Sequence, residues 1–103
     1  MKVFITYKLR PGVSPDEYAE WSRRVDQPMA SKQPGVLRYE IYQVENGTDG
    51  EGWCDVMEVI EAESWDAWKK VNTYPEMVKA VEEWRQISIP ESVRVVYGTQ
   101  IEP

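Results

Sequence analysis

The feature that most limits the possible folds of this chain is a set of four short segments in which apolar and polar side chains alternate. The segments are KVFITYKL at residues 2–9, VLRYEIYQVE at 36–45, WCDVMEVIEA at 53–62 and SVRVVYGTQI at 92–101. A period of two is typical of strands with one covered face, so each segment predicts a strand. The loop NGTDGEG between the second and third segments predicts a hairpin with a longer connection.

Helix signals lie between these strands. In SPDE, Ser14 is suited to cap a helix, Pro15 to occupy its first position and Glu17 to complete a capping box. A helix is therefore predicted from residue 15 to about Met29, and Pro28 is expected to help end it because proline cannot continue the hydrogen-bond ladder.

Two further helices are predicted before the last strand. Ser64 can cap a short one, and Pro75 can begin a longer one with apolar residues at helical spacing. The order is therefore β-α-β-β-α-α-β within 103 residues, a length that fits one domain, residues 1–103. This order predicts an α+β, ferredoxin-like fold with a four-stranded antiparallel sheet and its helices on one face.

The other face of such a sheet has no cover within one chain. The sequence assigns to the helix-covered face Leu37, Tyr39, Ile41, Trp53, Met57 and Val59. It leaves on the open face the apolar residues Val44, Val56, Ile60, Tyr42 and either Phe4 or Val96. This patch is too apolar for a stable monomer, so we predict a homodimer through the open sheet face.

Composition excludes several classes of function. A net charge of −6 is unsuited to nucleic acid, and no apolar stretch is long enough for a membrane span. The first ten residues alternate like a strand and do not resemble a signal peptide, so a cytoplasmic protein is expected. The chain has no histidine and one cysteine, Cys54, which argues against a zinc site, a His-ligated haem and His-dependent catalytic triads. No cofactor is expected, because the nucleotide-binding glycine motifs are missing as well.

Three segments resemble a known family. RPGVSPDEYAEW, VDQPMASKQPGVLRYEIYQV and DVMEVIEAESWDAW are similar to the RedY-like proteins of the dimeric α+β barrel superfamily, which occur in gene clusters for prodigiosin-type pyrroles and bisindole pigments. The resemblance covers most of the chain. It implies a homodimeric, cofactor-independent biosynthetic protein that acts on a planar heterocycle by cyclisation, dehydration or tautomerisation.

Asp26 is the first candidate for catalysis. It lies near the predicted end of the first helix, where a carboxylate is disfavoured by the helix dipole. It is either a solvated loop residue or, as the resemblance favours, an acid or base with a raised pKa.

Glu58 and Glu40 are predicted to share one face of paired strands. Two neighbouring carboxylates can separate into an acid and a base, since the charge of one raises the pKa of the other. The alternative is that Arg38, Lys8 or Arg94 pairs with them in structural ion pairs.

Several aromatic residues are expected where the helices meet the sheet. A stripe of aromatic side chains at helical spacing is more often core than binding site, yet these rings can also hold a flat indole or pyrrole. Trp53 and Trp65 are expected at the periphery, and Cys54 is expected to be a buried, unreactive thiol. The candidate substrate-binding residues are Tyr7, Tyr18, Trp21, Tyr39, Trp68 and Trp84, together with Glu40.

These observations favour an enzyme of the cyclase or dehydratase type with Asp26 and Glu58 as catalytic residues and a small aromatic heterocycle as substrate. Two alternatives stay open. One is a cofactor-independent monooxygenase of aromatic compounds, and the other is a binding or carrier protein for a reactive intermediate.

Overall fold

The computed structural model describes residues 1–50 and 52–103 and confirms the predicted order of strands and helices. The strands are β1 (Lys2–Tyr7), β2 (Val36–Gln43), β3 (Val56–Ala62) and β4 (Arg94–Gly98). They form one antiparallel sheet in the order β2-β3-β1-β4. The connection predicted between β2 and β3 includes residue 51, which lies outside the described residues, and β3 begins three residues later than the alternation predicted.

The helical segments lie before β2 and between β3 and β4. They are α1 (Pro15–Trp21), a π-helical turn (Ser22–Asp26), α2 (Gln27–Ser31), α3 (Trp65–Val71), α4 (Pro75–Ile87) and a 3₁₀ turn (Pro90–Ser92). The first three are continuous and include Pro28, so the predicted helix extends to residue 31 and the expectation that Pro28 helps to end it is wrong. None of the helices in the described part of the chain combines the length and apolar character that a membrane span requires.

Both predicted serine caps are present. The backbone N–H of Glu17 donates to Ser14 Oγ at 3.1 Å, and the N–H of Ala67 donates to Ser64 Oγ at 3.0 Å. Each bond satisfies an amide that has no partner within its own helix. The two caps thereby fix where α1 and α3 begin and which of their side chains turn toward the sheet.

The π-helical turn departs from the predicted regular helix. Here the N–H of Gln27 donates to the carbonyl of Ser22, five residues back. In a regular α-helix, residues five apart lie about 140° apart around the axis, whereas a π turn nearly aligns them. Trp21 and Asp26 are five apart and both are buried. Asp26 therefore lies inside a continuous helical segment and points to the interior, which corrects the expectation that it marks a helix exit.

The helices cover one face of the sheet, and the assignment of β3 to its two faces is a second correction. Val56, Glu58 and Ile60 lie on the covered face and are almost fully buried, while Met57 and Val59 lie on the open face. Pairing of Glu58 with Ile41 and with Ile5 fixes this arrangement.

The position of Leu37 also differs from the prediction. The register shifts between Val36 and Arg38, which is a β-bulge at Leu37. Leu37 is consequently exposed, and Tyr39 and Ile41 beyond the bulge keep their predicted face.

Two apolar clusters lie under the helices. One centres on Ile60 and Trp68, and the other on Tyr7 and Val56. Glu58 lies between Val56 and Ile60 on the same face of β3, so a carboxyl group separates the two clusters. Such a position is costly for a charged group unless hydrogen bonds compensate for the lost water.

Candidate active site

A cavity of about 280 Å³ lies between the covered face of the sheet and the helices. We call it the aromatic cavity. Its walls are mostly apolar, with two carboxyl groups, Asp26 and Glu58, among them. The remaining lining residues are Ile5, Tyr7, Tyr39, Trp65, Trp68, Lys69, Asn72, Met77, Ala80, Val81, Trp84, Val93 and Val95.

Glu58 is held by two phenols. The Tyr7 hydroxyl donates to Glu58 Oε2 at 2.7 Å, and the Tyr39 hydroxyl donates to Oε1 at 2.8 Å. Each carboxyl oxygen thus has a donor, although only 7% of the residue is exposed. Hydrogen bonds from two donors stabilise a buried carboxylate by replacing those it would make with water.

Asp26 lies on the other side of Tyr39. Its Oδ2 atom is 3.2 Å from the Tyr39 hydroxyl, so that hydroxyl lies between the two carboxyl groups. Asp26 is also 7% exposed, and in the described ranges 1–50 and 52–103 no ion pair involves either Asp26 or Glu58. The π-helical turn supplies this placement, because it directs Asp26 toward the interior.

Tyr18 extends the network behind Tyr7. The hydroxyls of these two residues form a short hydrogen bond. A phenol carries one proton, and Tyr7 gives its proton to Glu58, so Tyr18 must be the donor in the Tyr18–Tyr7 bond. The order of donors is therefore Tyr18 to Tyr7 to Glu58.

Burial raises the pKa of both carboxyl groups. For Asp26, burial is the largest cause and the negative charge of Glu58 is the second, which together raise its pKa to about 8 despite the hydrogen bond to Tyr39. Burial also raises the pKa of Glu58, and hydrogen bonds from Tyr7 and Tyr39 partly oppose that rise. Tyr39 has a single proton and lies nearer to Glu58, at 2.8 Å, than to Asp26, at 3.2 Å, so Glu58 receives both phenol protons and is the group that ionises first.

The three phenols of the network stay protonated at neutral pH. Burial, followed by the charge of Glu58, raises the pKa of Tyr7, Tyr18 and Tyr39. Once Glu58 has ionised, the pair of carboxyl groups holds one proton, on Asp26. Asp26 can then donate to the Tyr39 oxygen while Tyr39 donates to Glu58, so an acid and a base are joined by a single phenol.

Six of the nine residues predicted for the site line the aromatic cavity, namely Tyr7, Asp26, Tyr39, Glu58, Trp68 and Trp84. Tyr18 and Trp21 are buried behind them and do not line it. The substrate-binding roles of all these residues stay predictions.

Glu40 is not part of this site. It pairs with Val59 on the open face, opposite to Glu58, and accepts from Arg38 at 2.9 Å. The prediction that Glu40 and Glu58 share a face is therefore wrong. The two faces of β3 are exchanged relative to the prediction. Arg38 pairs with Glu40, which is the structural ion pair given above as the alternative.

The sequence interpretation also missed part of the cavity wall. Trp65, expected at the periphery, lines the cavity and stacks on Tyr97 with ring centroids 4.0 Å apart and planes 9° apart. The serine cap at residue 64 makes Trp65 the first residue of α3 and places Trp68 three positions later, on the same side of the helix. This spacing of the two tryptophans could have predicted that both line the cavity. Lys69 and Asn72 follow on the same helix and also line the cavity.

In the described residues, neither Cys54 nor a metal site offers a second catalytic centre. Cys54 is buried, and burial together with the charge of Asp55 raises the pKa of its thiol. A thiol of this kind is a poor nucleophile. In the part of the chain that the structure describes, no group of three or more His, Cys, Asp or Glu side chains is placed to hold a metal ion.

Comparison with solved structures establishes the fold class. HapK from Hahella chejuensis matches with a TM-score of 0.77 and 16% identity, over 100% of this chain and 95% of that one. A dimeric protein of unknown function with a ferredoxin-like fold from Bacteroides fragilis matches with a TM-score of 0.67 and 20% identity, over 92% and 90% of the two chains. The predicted ferredoxin-like fold is confirmed.

A third solved structure has a described activity. A mutant of SnoaB, a cofactor-independent oxygenase from Streptomyces nogalater, matches with a TM-score of 0.68 and 15% identity, over 99% of this chain and 97% of that one. At these identities the likeness concerns the fold. No curated protein matches the sequence significantly.

The family comparison covers nearly the whole sequence. The model of the family described as REDY-like protein HapK matches residues 1–101. This match confirms the resemblance found in the three sequence segments. The chain belongs to the REDY-like HapK family.

Proposed function

We propose that this protein is a cofactor-independent biosynthetic enzyme that catalyses dehydration or ring closure of an indole- or pyrrole-derived intermediate. The observation that carries the proposal is the position of Asp26 and Glu58, joined through Tyr39 at the wall of an aromatic cavity. Family membership supports the biosynthetic role. A cytoplasmic location is part of the proposal.

In the dehydration, Glu58 accepts a proton from a C–H or N–H group of the substrate. The electrons of that bond form a new double bond, and the adjacent C–O bond breaks. Asp26 gives its proton to the leaving hydroxyl, so water departs and Asp26 becomes a carboxylate. Tyr39 then passes a proton from Glu58 to Asp26 by giving one and accepting one, which restores the starting state. Each group needs a pKa near the working pH, and burial shifts both carboxyl groups in that direction.

The walls favour a flat aromatic substrate. Trp84 lies edge-on to Tyr7 with ring centroids 5.1 Å apart, and Trp65 and Trp68 face the cavity from α3. Ring faces and edges at such angles bind planar heterocycles by stacking and edge contacts.

The proposed enzyme is a homodimer through the open sheet face. Phe4, Tyr42 and Val96 are exposed there, at 37%, 49% and 64%. Thr6 lies on the same face with its hydroxyl buried and without a hydrogen-bond partner in the described residues. Similar folds include proteins described as dimeric. Val56 and Ile60, predicted for this face, are excluded from it because they lie under the helices.

The test uses oxindole as a probe, because exchange of its C3 protons requires a base and no particular leaving group. In D2O, proton NMR should show exchange that the wild-type protein accelerates and that Glu58→Gln slows by about 100-fold or more. Glu40→Gln is the matched control, since it removes the same charge from the opposite face. Asp26→Asn should retain exchange and abolish dehydration of a hydroxylated indoline. Wild-type exchange at the buffer rate, or equal rates in Glu58→Gln and wild type, would refute the role of Glu58.

Cofactor-free oxygenation is the second candidate. Deprotonation by Glu58 would produce an electron-rich anion, and such an anion can transfer an electron to O2. SnoaB, which shares the fold, is described as a cofactor-independent oxygenase. Oxygen consumption by protein and aromatic substrate alone would favour this candidate. A simple carrier is less well supported, because both carboxyl groups are buried and, within residues 1–50 and 52–103, neither is held in an ion pair.

A further inference from the structure

The aromatic cavity has opposite chemistry at its two ends. At the buried end lie Asp26 and Glu58, each 7% exposed. At the outer end lie Lys69, whose side chain is 56% exposed, and the exposed Asn72. Between them the walls are aromatic and aliphatic. The cavity therefore has acidic groups inside and one basic group at its mouth.

The buried end is suited to a hydrogen-bond donor. Asp26 uses Oδ2 toward Tyr39, and its Oδ1 accepts no hydrogen bond from residues 1–50 or 52–103. A carboxylate oxygen also has more than one acceptor site, so Glu58 can accept from a ligand in addition to its two phenols. A substrate that enters with an N–H group first would satisfy these acceptors.

The mouth is suited to an anion. Among the described residues that line the cavity, Lys69 is the basic one. Its ammonium lies 3.3 Å from Asp66 Oδ1, but both side chains are largely exposed, at 56% and 83%. Exposed pairs of this kind contribute little, so Lys69 can exchange Asp66 for a ligand at low cost.

We propose that the substrate is a planar N–H heterocycle that carries a carboxylate, with its ring nitrogen toward Asp26 and Glu58 and its carboxylate paired with Lys69 at the mouth. Lys69 is then a specificity-determining residue. This inference rests on the proposed function, since it assigns a substrate class to the same cavity. It goes beyond that function by fixing the orientation of the substrate and the charge of its outer end.

The test compares two ligands that differ in the carboxylate, indole-3-acetate and 3-methylindole. Isothermal titration calorimetry at pH 7 gives the ratio of their dissociation constants in the wild-type protein. Lys69→Met keeps most of the apolar stem of the side chain and removes the charge. We expect it to weaken binding of indole-3-acetate by about fivefold and to leave that of 3-methylindole unchanged, the effect of one partly exposed ion pair.

Lys70→Met is the matched control. It removes the same charge from the next position of the same helix, and Lys70 does not line the aromatic cavity. The ratio should stay at its wild-type value in this variant. An equal ratio in Lys69→Met and wild type, or an equal change in both variants, would overturn the inference and leave the proposed function intact. If neither ligand binds the wild-type protein, the proposed substrate class itself is refuted.

Discussion

Replacing Asp26 by Asn should make the stability of the protein less dependent on pH. Asp26 has a pKa of about 8 in the folded protein, whereas an unfolded chain has a value near 4. Between these values the folded protein holds a proton that the unfolded chain has released. Stability from this group is therefore complete below about pH 4 and is lost as the pH rises through about 8.

The magnitude follows from the linkage between proton binding and folding. Over the range in which only the folded state is protonated, the free energy of unfolding falls by about 1.4 kcal/mol for each pH unit. An asparagine at position 26 keeps the shape of the neutral acid and cannot ionise. Between pH 5 and pH 8 the variant should therefore gain about 4 kcal/mol relative to wild type.

Urea unfolding followed by tryptophan fluorescence, at several pH values from 5 to 8, measures this difference. Asp16→Asn is the matched control, because Asp16 is exposed in the first turn of α1 and lies outside the network. Its difference from wild type should not grow over this range. A constant difference between Asp26→Asn and wild type would refute the conclusion that Asp26 is a buried, protonated acid.

Three further outcomes are expected. Tyr18→Phe should lower the free energy of unfolding by about 1 kcal/mol and move the base-catalysed oxindole exchange to higher pH. The reason is that Tyr7, which donates to Glu58, loses the hydrogen bond from Tyr18. Tyr74→Phe should change neither quantity. Ile60→Ala should lower the free energy of unfolding by about 2–5 kcal/mol in a urea titration, since Ile60 is fully buried; a loss below about 1 kcal/mol would contradict its place in the core. Val96→Glu should shift the protein toward monomer in sedimentation velocity, and an unchanged sedimentation coefficient of a dimer would exclude the open sheet face as the interface.

The elements of the fold could be predicted because each depends on local chemistry. Ser14 and Ser64 mark helix starts, since a serine hydroxyl can accept from an orphan amide, and both caps are present. Period-two alternation identified all four strands. These signals act within a few residues, so they need no knowledge of the tertiary structure.

The site was harder to predict because it departs from the same local rules. Glu58 lies between Val56 and Ile60 on the covered face of β3. From the sequence alone, a carboxylate on a strand is expected to point to solvent. Only the phenols of Tyr7 and Tyr39, distant in sequence, make its burial possible. The alternation therefore assigned the residues of β3 to the wrong faces of the sheet.

Asp26 shows the same limit for a helix. Its inward direction depends on a π-helical turn, and an α-helical period places it well away from Trp21. Pro28 cannot donate to the carbonyl four residues back, so it disfavours a regular α-helical turn here, but a proline equally predicts the end of a helix. Its place near a predicted helix end made Asp26 a candidate, and the family resemblance strengthened it; the periodicity did not point to it.

The π-helical turn also has a consequence for chain length. Since its five-residue hydrogen bond accommodates one residue more than an α-helical turn, deleting one residue within 22–25 would restore the ordinary pitch. Trp21 and the acid would then be four residues apart, about 40° around an α-helical axis, so the acid would keep its present direction. A relative with a gap of a single position in this segment can therefore still present its acid to the same cavity, four residues after the tryptophan instead of five.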